Sequence, residues 1–182
     1  MYLEKGTFAL PDGKALTLRS PRPEDAETML DYLRQTSAET HFLMREADEF
    51  TMTVEDEAAF LNGVTSNPRG FMLAAFNGGE AVANCSIFPI SECRKACHRG
   101  SFGIAVKQKY CECGLGTLLL RYALEQAKLL DFTQVELGVY ADNPRAKYVY
   151  EKLGFREMGV IPNAFRLSDG TFRDEVQMVI NL

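Results

Sequence analysis

Residues 143–155 read Asn-Pro-Arg-Ala-Lys-Tyr-Val-Tyr-Glu-Lys-Leu-Gly-Phe, a stretch that carries signals for both ends of a helix. Asn143 can accept a hydrogen bond from the first helical turn, and Pro144 suits the first helical position because no N–H is needed there. Gly154 follows the last turn, where a left-handed residue commonly ends a helix. The sequence therefore predicts a helix from Pro144 to Leu153.

Two side chains of this stretch, Asn143 and Tyr150, are seven residues apart. Seven residues make about two helical turns at ~3.6 residues per turn, so both project from the same side. Tyr148 lies on a different face. On these residues alone, an ordinary helix cap and a core tyrosine are the simplest interpretations.

Further upstream, residues 109–117 read Lys-Tyr-Cys-Glu-Cys-Gly-Leu-Gly-Thr, between an apolar strand pattern at Ser101–Val106 and a helix pattern at Thr117–Leu130. A helix N-terminus exposes unpaired N–H groups, and glycines let the backbone approach an anion such as phosphate. No lysine follows Gly116, as a Walker loop requires, and Leu119 replaces the third glycine of a dinucleotide fingerprint. A tight turn that needs glycine only for its geometry is the alternative.

Strand and helix patterns alternate along the rest of the chain. Further predicted strands are Ala15–Arg19, Phe71–Phe76, Ala81–Ile90, Gln134–Tyr140 and Val176–Ile180, and further predicted helices are Glu24–Gln35 and one from a capping box at Thr53–Asp56 to about Ser66. Phe155–Leu182 is predicted to form a hairpin turning at Asp169-Gly170. This order predicts one α/β (α+β) domain over residues 1–182. Its mixed, mostly antiparallel twisted sheet has about seven strands flanked by about four helices, with one parallel connection within Ser101–Tyr140.

Composition and charge exclude several function classes. The 182 residues carry a net charge of -5, and without a clustered basic arm this argues against binding to nucleic acid. Residues 1–13 lack the pattern of a signal peptide, and no apolar run approaches the ~20 residues of a membrane span. Five cysteines, an odd number, fit a reducing compartment. A cytoplasmic protein that binds neither nucleic acid nor membrane is therefore expected.

The order of these patterns resembles the signature of the GNAT superfamily of acetyl-CoA-dependent N-acetyltransferases. The order is the strand Ser101–Val106, the glycine loop, the helix, the strand Gln134–Tyr140 and residues 143–155. The resemblance runs from about Leu16 to Ile180, and the 143–155 segment is its most specific part. The stretches 16–26 and 169–178 are similar to the subset that contains ribosomal-protein alanine and polyamine acetyltransferases.

The resemblance implies acetyl-CoA as co-substrate and no metal. It assigns the CoA pyrophosphate to the backbone of the glycine loop, and it assigns the pantetheine arm and the acetyl group to the preceding strand and to the asparagine of the 143–155 segment. The implied cofactor-binding residues are Ile104, Ala105, Val106, Cys111, Glu112, Cys113, Gly114, Leu115, Gly116, Thr117 and Asn143. A backbone N–H near Val106 would polarise the thioester carbonyl. Cys111 replaces the arginine or glutamine of the family pattern, which makes Lys107 and Lys109 candidate cationic helpers.

The implied reaction is direct attack by a primary amine on the thioester in a ternary complex. Tyr150 would protonate the departing CoA thiolate. Ser101 occupies the position where several related enzymes have a glutamate base, and a serine alone is too weak a base. His98 and His41 are candidates because histidine titrates near neutral pH, although an exposed turn histidine is the simpler interpretation of His98. The amine acceptor, for example a protein N-terminus, a polyamine or another small amine, is not identified, and a homodimer is left open.

Two alternatives to the acetyltransferase remain at this point. The missing glutamate fits a non-catalytic acyl-CoA-binding regulatory domain. The pairs Cys93/Cys97 and Cys111/Cys113 suggest a zinc or redox site, but their spacings do not repeat the C-x-x-C pattern typical of structural zinc. Cys113 lies near a helix N-terminus, where a thiol can be reactive, whereas Cys85 fits a buried apolar position.

The family resemblance places the acceptor site near Thr36–Thr53 and Val160–Thr171. The first of these ranges contains three acidic residues that would attract a cationic amine or form an ordinary solvated loop. These are Glu46, Asp48 and Glu49.

Overall fold

The computed structural model describes residues 1–13 and 15–182, without the side chain of Lys5. Its α-helices are α1 Ala26–Glu39, α2 Val54–Ser66, α3 Leu115–Leu129 and α4 Pro144–Lys152. Its strands are β1 Glu4–Ala9, β2 Ala15–Arg19, β3 Phe71–Asn77, β4 Glu80–Pro89, β5 Arg99–Val106, β6 Gln134–Tyr140, β7 Arg156–Arg166 and β8 Phe172–Asn181. They form one sheet in the order β1-β2-β3-β4-β5-β6-β8-β7. The predicted fold class, a mixed and mostly antiparallel sheet with helices, is confirmed.

The fold divides into two compact units. The first unit contains residues 1–88 and 103–123, and the second unit contains residues 89–102 and 124–182. Strand β5 contributes its beginning to the second unit and its end to the first.

Strand β3 is the centre of the core of the first unit. It pairs antiparallel with β2 and with β4, so it is buried along almost its whole length. Met72 and Phe76 of β3 belong to one apolar cluster with Met29 and Tyr32 of α1 and with Leu61 of α2. This cluster holds both helices on the sheet.

The starts of α1 and α2 show how local sequence sets helix ends. Helix α1 begins later than the predicted helix Glu24–Gln35, because Pro23–Asp25 form a 3-10 turn before it, and it also ends later, at Glu39. The predicted capping box of α2 is confirmed, since Thr53 Oγ1 accepts from Asp56 N at 3.1 Å and the Asp56 carboxylate accepts from Thr53 N at 3.0 Å. Within residues 1–13 and 15–182, no helix is long and apolar enough to cross a membrane.

The second unit contains the parallel strand pairing that the sequence predicts. Residues 99–101 of β5 pair parallel with residues 134–136 of β6, which confirms the crossover through α3. Strand β8 pairs antiparallel with both β6 and β7. The hairpin turn lies where it was predicted, and Asp169 Oδ1 accepts from Thr171 N at 2.8 Å there.

The sequence prediction lacks β1, so the sheet has one strand more than the predicted seven. β1 pairs antiparallel with β2 and is first in the strand order. Gly6 has φ 107°, and the register of the pairing shifts between Glu4 and Gly6. This irregularity interrupts the alternation of apolar and polar residues that would identify a strand.

Candidate active site

In the first unit, the turn between β5 and α3 is fixed by two side-chain hydrogen bonds. Gln108 N donates to Glu39 Oε2 at 2.7 Å, and Asn77 Nδ2 donates to the Tyr110 hydroxyl at 2.9 Å. Glu39 is the last residue of α1 and Asn77 the last residue of β3. Helix α1 and strand β3 therefore fix the position from which the glycine loop starts.

The backbone of the loop turns sharply into α3. Glu112 and Gly114 have positive φ angles of 65° and 86°. The hydrogen bond from Leu118 N to Gly114 O, at 3.0 Å, begins the helical ladder. The N–H groups of residues 115–117 come before this bond, so the helix itself provides them with no acceptor. The loop thus ends in a set of backbone donors at a helix N-terminus, where an anion binds favourably.

The two glycines of the loop have different roles. Gly116 lies in the first turn of α3, because the helix starts at Leu115 and not at Thr117 as predicted. The left-handed residues of the turn are Glu112 and Gly114. Among described atoms, a Cβ on Gly114 would contact nothing within 4 Å, and a Cβ on Gly116 would meet only Val106 Cγ2, at 3.9 Å. Gly114 is therefore required for its backbone conformation, and the space beside both glycines is open.

The end of β5 carries the predicted acetyl-binding residues Ile104, Ala105 and Val106, all of them half-buried. The Tyr32 hydroxyl donates to Ala105 O at 2.8 Å and accepts from Asn84 N at 3.1 Å. Burial raises the pKa of Tyr32, so this hydroxyl keeps its proton. Tyr32 of α1 thereby connects β4 and β5 beside the predicted acetyl site.

The two loop cysteines interact with backbone carbonyls of their own turn. Cys113 Sγ lies 3.1 Å from Tyr110 O, and Cys111 Sγ lies 3.8 Å from Val106 O. All five cysteines of the chain are free thiols. Among the described residues, no group of three or more His, Cys, Asp or Glu side chains is placed to hold a metal ion. These contacts favour a structural role for the loop thiols.

We expect the native thiols to differ widely in reactivity. Cys85 is 1% exposed and burial raises its pKa to about 12, whereas Cys93 is exposed. A disulfide reagent followed by peptide mapping should modify Cys93 first and leave Cys85 unmodified until the protein is denatured. Equal modification rates for these two cysteines would contradict the structure.

The structure contradicts the expected role of Lys107 as a helper for phosphate binding. Its side chain is 4% exposed, and Nζ donates to Glu80 Oε1 at 2.7 Å. The Lys107 ammonium is therefore held in an ion pair with Glu80 of the same protein. Lys109 Nζ lies 5.8 Å from the centre of the Tyr110 ring, and its role stays a prediction.

In the second unit, helix α4 presents the predicted Asn143 and Tyr150. Asn143 Oδ1 accepts from Ala146 N at 3.1 Å and so caps the helix. Tyr150 is 8% exposed, and its ring centre lies 6.4 Å from that of Phe102 and 5.8 Å from that of Phe155. Burial raises the pKa of Tyr150 to about 12, so the hydroxyl is protonated at neutral pH. Tyr150 has the protonation state that a proton donor requires.

Ser101 also belongs to the second unit and is exposed. Its register partner on β6 is Glu136, whose carboxylate accepts from Arg99 Nη2 at 2.7 Å and from Gln134 Nε2 at 2.7 Å. The interpretation of His98 as an exposed turn residue agrees with the structure.

The first unit also contains a cavity of about 460 Å³. Its walls come from α1, the following loop, α2 and strands β3, β4 and β5, and the predicted acceptor range Thr36–Thr53 contributes several of them. The apolar wall includes Met29, Leu33, Phe50, Met52, Phe60 and Met72. Ala105, which the family resemblance assigns to the cofactor, lines the same cavity.

Glu57 is the acidic residue of this cavity that the sequence analysis overlooked. Its side chain is 3% exposed, and burial raises its pKa. A signal was present, because Glu57, Leu61 and Val64 follow the i, i+4, i+7 spacing of the buried face of α2. The loop acids Glu46, Asp48 and Glu49 were expected either to attract an amine or to form an ordinary solvated loop. They are exposed and do not line the cavity, and Glu49 Oε2 accepts from Glu46 N at 2.8 Å, which agrees with the solvated loop.

Comparison with solved structures shows similar folds over nearly the whole chain. An acetyltransferase of the GNAT family from Streptococcus pneumoniae has a TM-score of 0.86 and 28% identity, with 92% of this chain and 99% of that chain covered. A ribosomal-protein-alanine N-acetyltransferase from Brucella melitensis has a TM-score of 0.80 and 20% identity, with 92% and 100% covered. A phosphinothricin acetyltransferase from Sinorhizobium meliloti, in complex with acetyl-CoA, has a TM-score of 0.79 and 16% identity, with 92% and 88% covered. At 20% and 16% identity, the last two show the fold alone.

None of the curated proteins compared with the chain matched it. The model of the acetyltransferase (GNAT) family, in contrast, matches residues 26–155. The matched range contains the glycine loop, α3, Asn143 and Tyr150 and covers well over half of the 182 residues. The chain belongs to the acetyltransferase (GNAT) family.

Proposed function

We propose that residues 1–182 act as one N-acetyltransferase domain that transfers the acetyl group of acetyl-CoA to a primary amine. The observation that carries this proposal is the helix N-terminus after β5, which lies inside the range matched by the family model. The bound acetyl-CoA in the phosphinothricin acetyltransferase structure supports it. Because five free thiols fit a reducing compartment, we place the reaction in the cytoplasm.

The residues of the first unit fit a pyrophosphate. The turn that contains Glu112 and Gly114, both with positive φ angles, is followed by N–H groups that precede the helical ladder. Gly114 and Gly116 have no side chains that could obstruct these groups. Backbone amides of residues 112–117 bind the phosphates. Side chains contribute less here than in the family pattern, because Cys111 replaces a polar or cationic residue. Ile104, Ala105 and Val106 lie along the pantetheine arm and the acetyl group.

Bound acetyl-CoA supplies an activated acetyl thioester. A backbone N–H near Val106 polarises its carbonyl, and Asn143 binds the pantetheine arm. The Tyr150 hydroxyl donates a proton to the departing thiolate, which its raised pKa permits throughout the neutral range. The unprotonated amine attacks the carbonyl carbon, the carbon–sulfur bond breaks, and the proton that the nitrogen loses as the amide forms restores the Tyr150 hydroxyl. The ammonium form of the acceptor must therefore lose one proton before the attack. Ser101 takes part only by hydrogen bonding, since a hydroxyl is too weak a base to remove a proton from the ammonium form of the acceptor alone.

The acceptor binds in the cavity of the first unit. This cavity reaches Ala105 on β5 and therefore the residues assigned to the acetyl group. Its volume of about 460 Å³ lies in the ~300–1,000 Å³ range typical of small-molecule sites.

The test is an acceptor screen in which release of the CoA thiol is measured, together with calorimetric binding of acetyl-CoA. We expect acetyl-CoA to bind and at least one amine to release free thiol faster than acetyl-CoA alone. Binding without amine-dependent release would instead support an acyl-CoA-binding regulatory domain, and failure to bind acetyl-CoA would overturn the proposal.

A further inference from the structure

We infer that the cavity of the first unit selects a primary amine with one positive charge on an apolar body, and that Glu57 pairs with this charge. The inference rests on the proposed function, because it names the class of acceptor that the transfer reaction takes.

The Glu57 side chain is 3% exposed, and its carboxylate has no hydrogen-bond or ion-pair partner among the described residues. Burial is the cause of its raised pKa, and no hydrogen bond or charge among the described residues offsets it. A buried charge without a partner lowers the stability of a protein and is uncommon outside functional sites. Glu57 lines the cavity, so a cation bound there can be the partner it lacks.

The other charged groups of the cavity are already engaged. Asp56 accepts hydrogen bonds from the N–H and the hydroxyl of Thr53 in the capping box, at 3.0 and 2.9 Å. The guanidinium of Arg45 is exposed and lies over the Phe50 ring, 5.6 Å from its centre. Glu57 is thus the one carboxylate of the cavity that is both buried and available, which fits a ligand with a single positive charge.

The cavity has few uncharged polar side chains, namely Thr36, Ser37 and Asn84. The Thr36 hydroxyl donates to Tyr32 O at 2.8 Å, and Asn84 Oδ1 lies 3.2 Å from the Tyr32 hydroxyl, whose one proton it shares with Ala105 O. A peptide N-terminus would bring several amide groups that need hydrogen-bond partners, and three polar side chains can satisfy them only in part. The structure therefore disfavours a peptide acceptor.

The apolar wall argues against a polyamine or an aminoglycoside. Each additional ammonium group would lie against methionine, leucine and phenylalanine side chains without a counter-charge, which is costly. An alkyl or arylalkyl chain would instead bury apolar surface, and methionines such as Met29, Met52 and Met72 adapt readily to its shape. The cavity thus fits an apolar monoamine.

The first test compares 4-phenylbutylamine with spermidine as acceptors for the wild type, Glu57→Gln and Glu55→Gln. Glu55 is the matched control, since it lies on α2 and is exposed. We expect 4-phenylbutylamine to have the higher kcat/KM in the wild type. Glu57→Gln should raise its KM roughly 10- to 100-fold, the loss expected for a hydrogen bond to a charged group, and leave the KM of acetyl-CoA unchanged. Glu55→Gln should match the wild type.

The second test separates this inference from the proposed function, because it needs no turnover. Calorimetry with CoA-loaded protein should show binding of 4-phenylbutylamine and much weaker binding of the uncharged 4-phenylbutan-1-ol. Binding of the amine should be weakened in Glu57→Gln and unchanged in Glu55→Gln. That result upholds the inference even if no amine is acetylated. Preference for spermidine, or equal amine binding by the wild type and Glu57→Gln, would overturn it.

Discussion

Tyr150→Phe is expected to lower kcat by about 100-fold or more, because general acid catalysis typically contributes ~10²- to 10⁴-fold to a rate. The phenyl ring preserves the contacts with Phe102 and Phe155, so the fold and the Kd for acetyl-CoA should change little. Steady-state kinetics together with calorimetry measure the two effects separately.

The pH dependence adds a sharper criterion. The pKa of Tyr150 is raised to about 12 by burial, so the hydroxyl is protonated at every pH well below that value. The loss of kcat in Tyr150→Phe should therefore be the same factor from about pH 6 to pH 10. Tyr148→Phe is the matched control, because Tyr148 is 63% exposed on the same helix, and this variant should keep full activity. An unchanged kcat in Tyr150→Phe would assign the proton donor elsewhere.

Gly114→Val is expected to raise the Kd for acetyl-CoA roughly 10- to 100-fold, equivalent to the loss of one charge-assisted hydrogen bond. Gly114 has φ 86°, a conformation that a β-branched residue avoids, so the turn must relax and the N–H groups at the start of α3 must move. The added side chain also occupies open space beside the loop. Calorimetric titration with acetyl-CoA measures the effect.

Gly13→Val is the matched control for this variant. Gly13 has φ 84°, and a Cβ there would also contact no described atom within 4 Å. The substitution therefore introduces similar backbone strain at a turn of the first unit that is not part of the loop. Both variants should lower the melting temperature, and only Gly114→Val should weaken acetyl-CoA binding. Equal Kd values for Gly114→Val and the wild type would refute the role of the loop backbone.

Local signals in the sequence were sufficient for most elements of the fold. The Asn143 cap and the Thr53–Asp56 capping box form as predicted, and Gly154 has φ 99° directly after Leu153, the C-cap of α4. Such features depend on contacts within three or four residues, so the chain encodes them without reference to its other parts. The same reasoning located the loop that ends in the N-terminus of α3.

Contacts between distant residues were not predictable in this way. Lys107 is adjacent to the glycine loop in sequence, yet its ammonium binds Glu80, 27 residues away. Strand β1 owes its conformation to pairing with β2, since its own pattern is interrupted at Gly6. Both outcomes depend on a partner that sequence spacing does not identify.

The sequence by itself determined the family, the helix that Asn143 caps and the type of loop that precedes α3, because each is recorded in short-range residue patterns. Only the tertiary structure decided that Glu57 is buried without a partner among the described residues and that α1, α2 and β3–β5 enclose an apolar cavity around it. A cavity arises where side chains from several elements fail to fill the space between them. This property belongs to the packed fold and to no single segment.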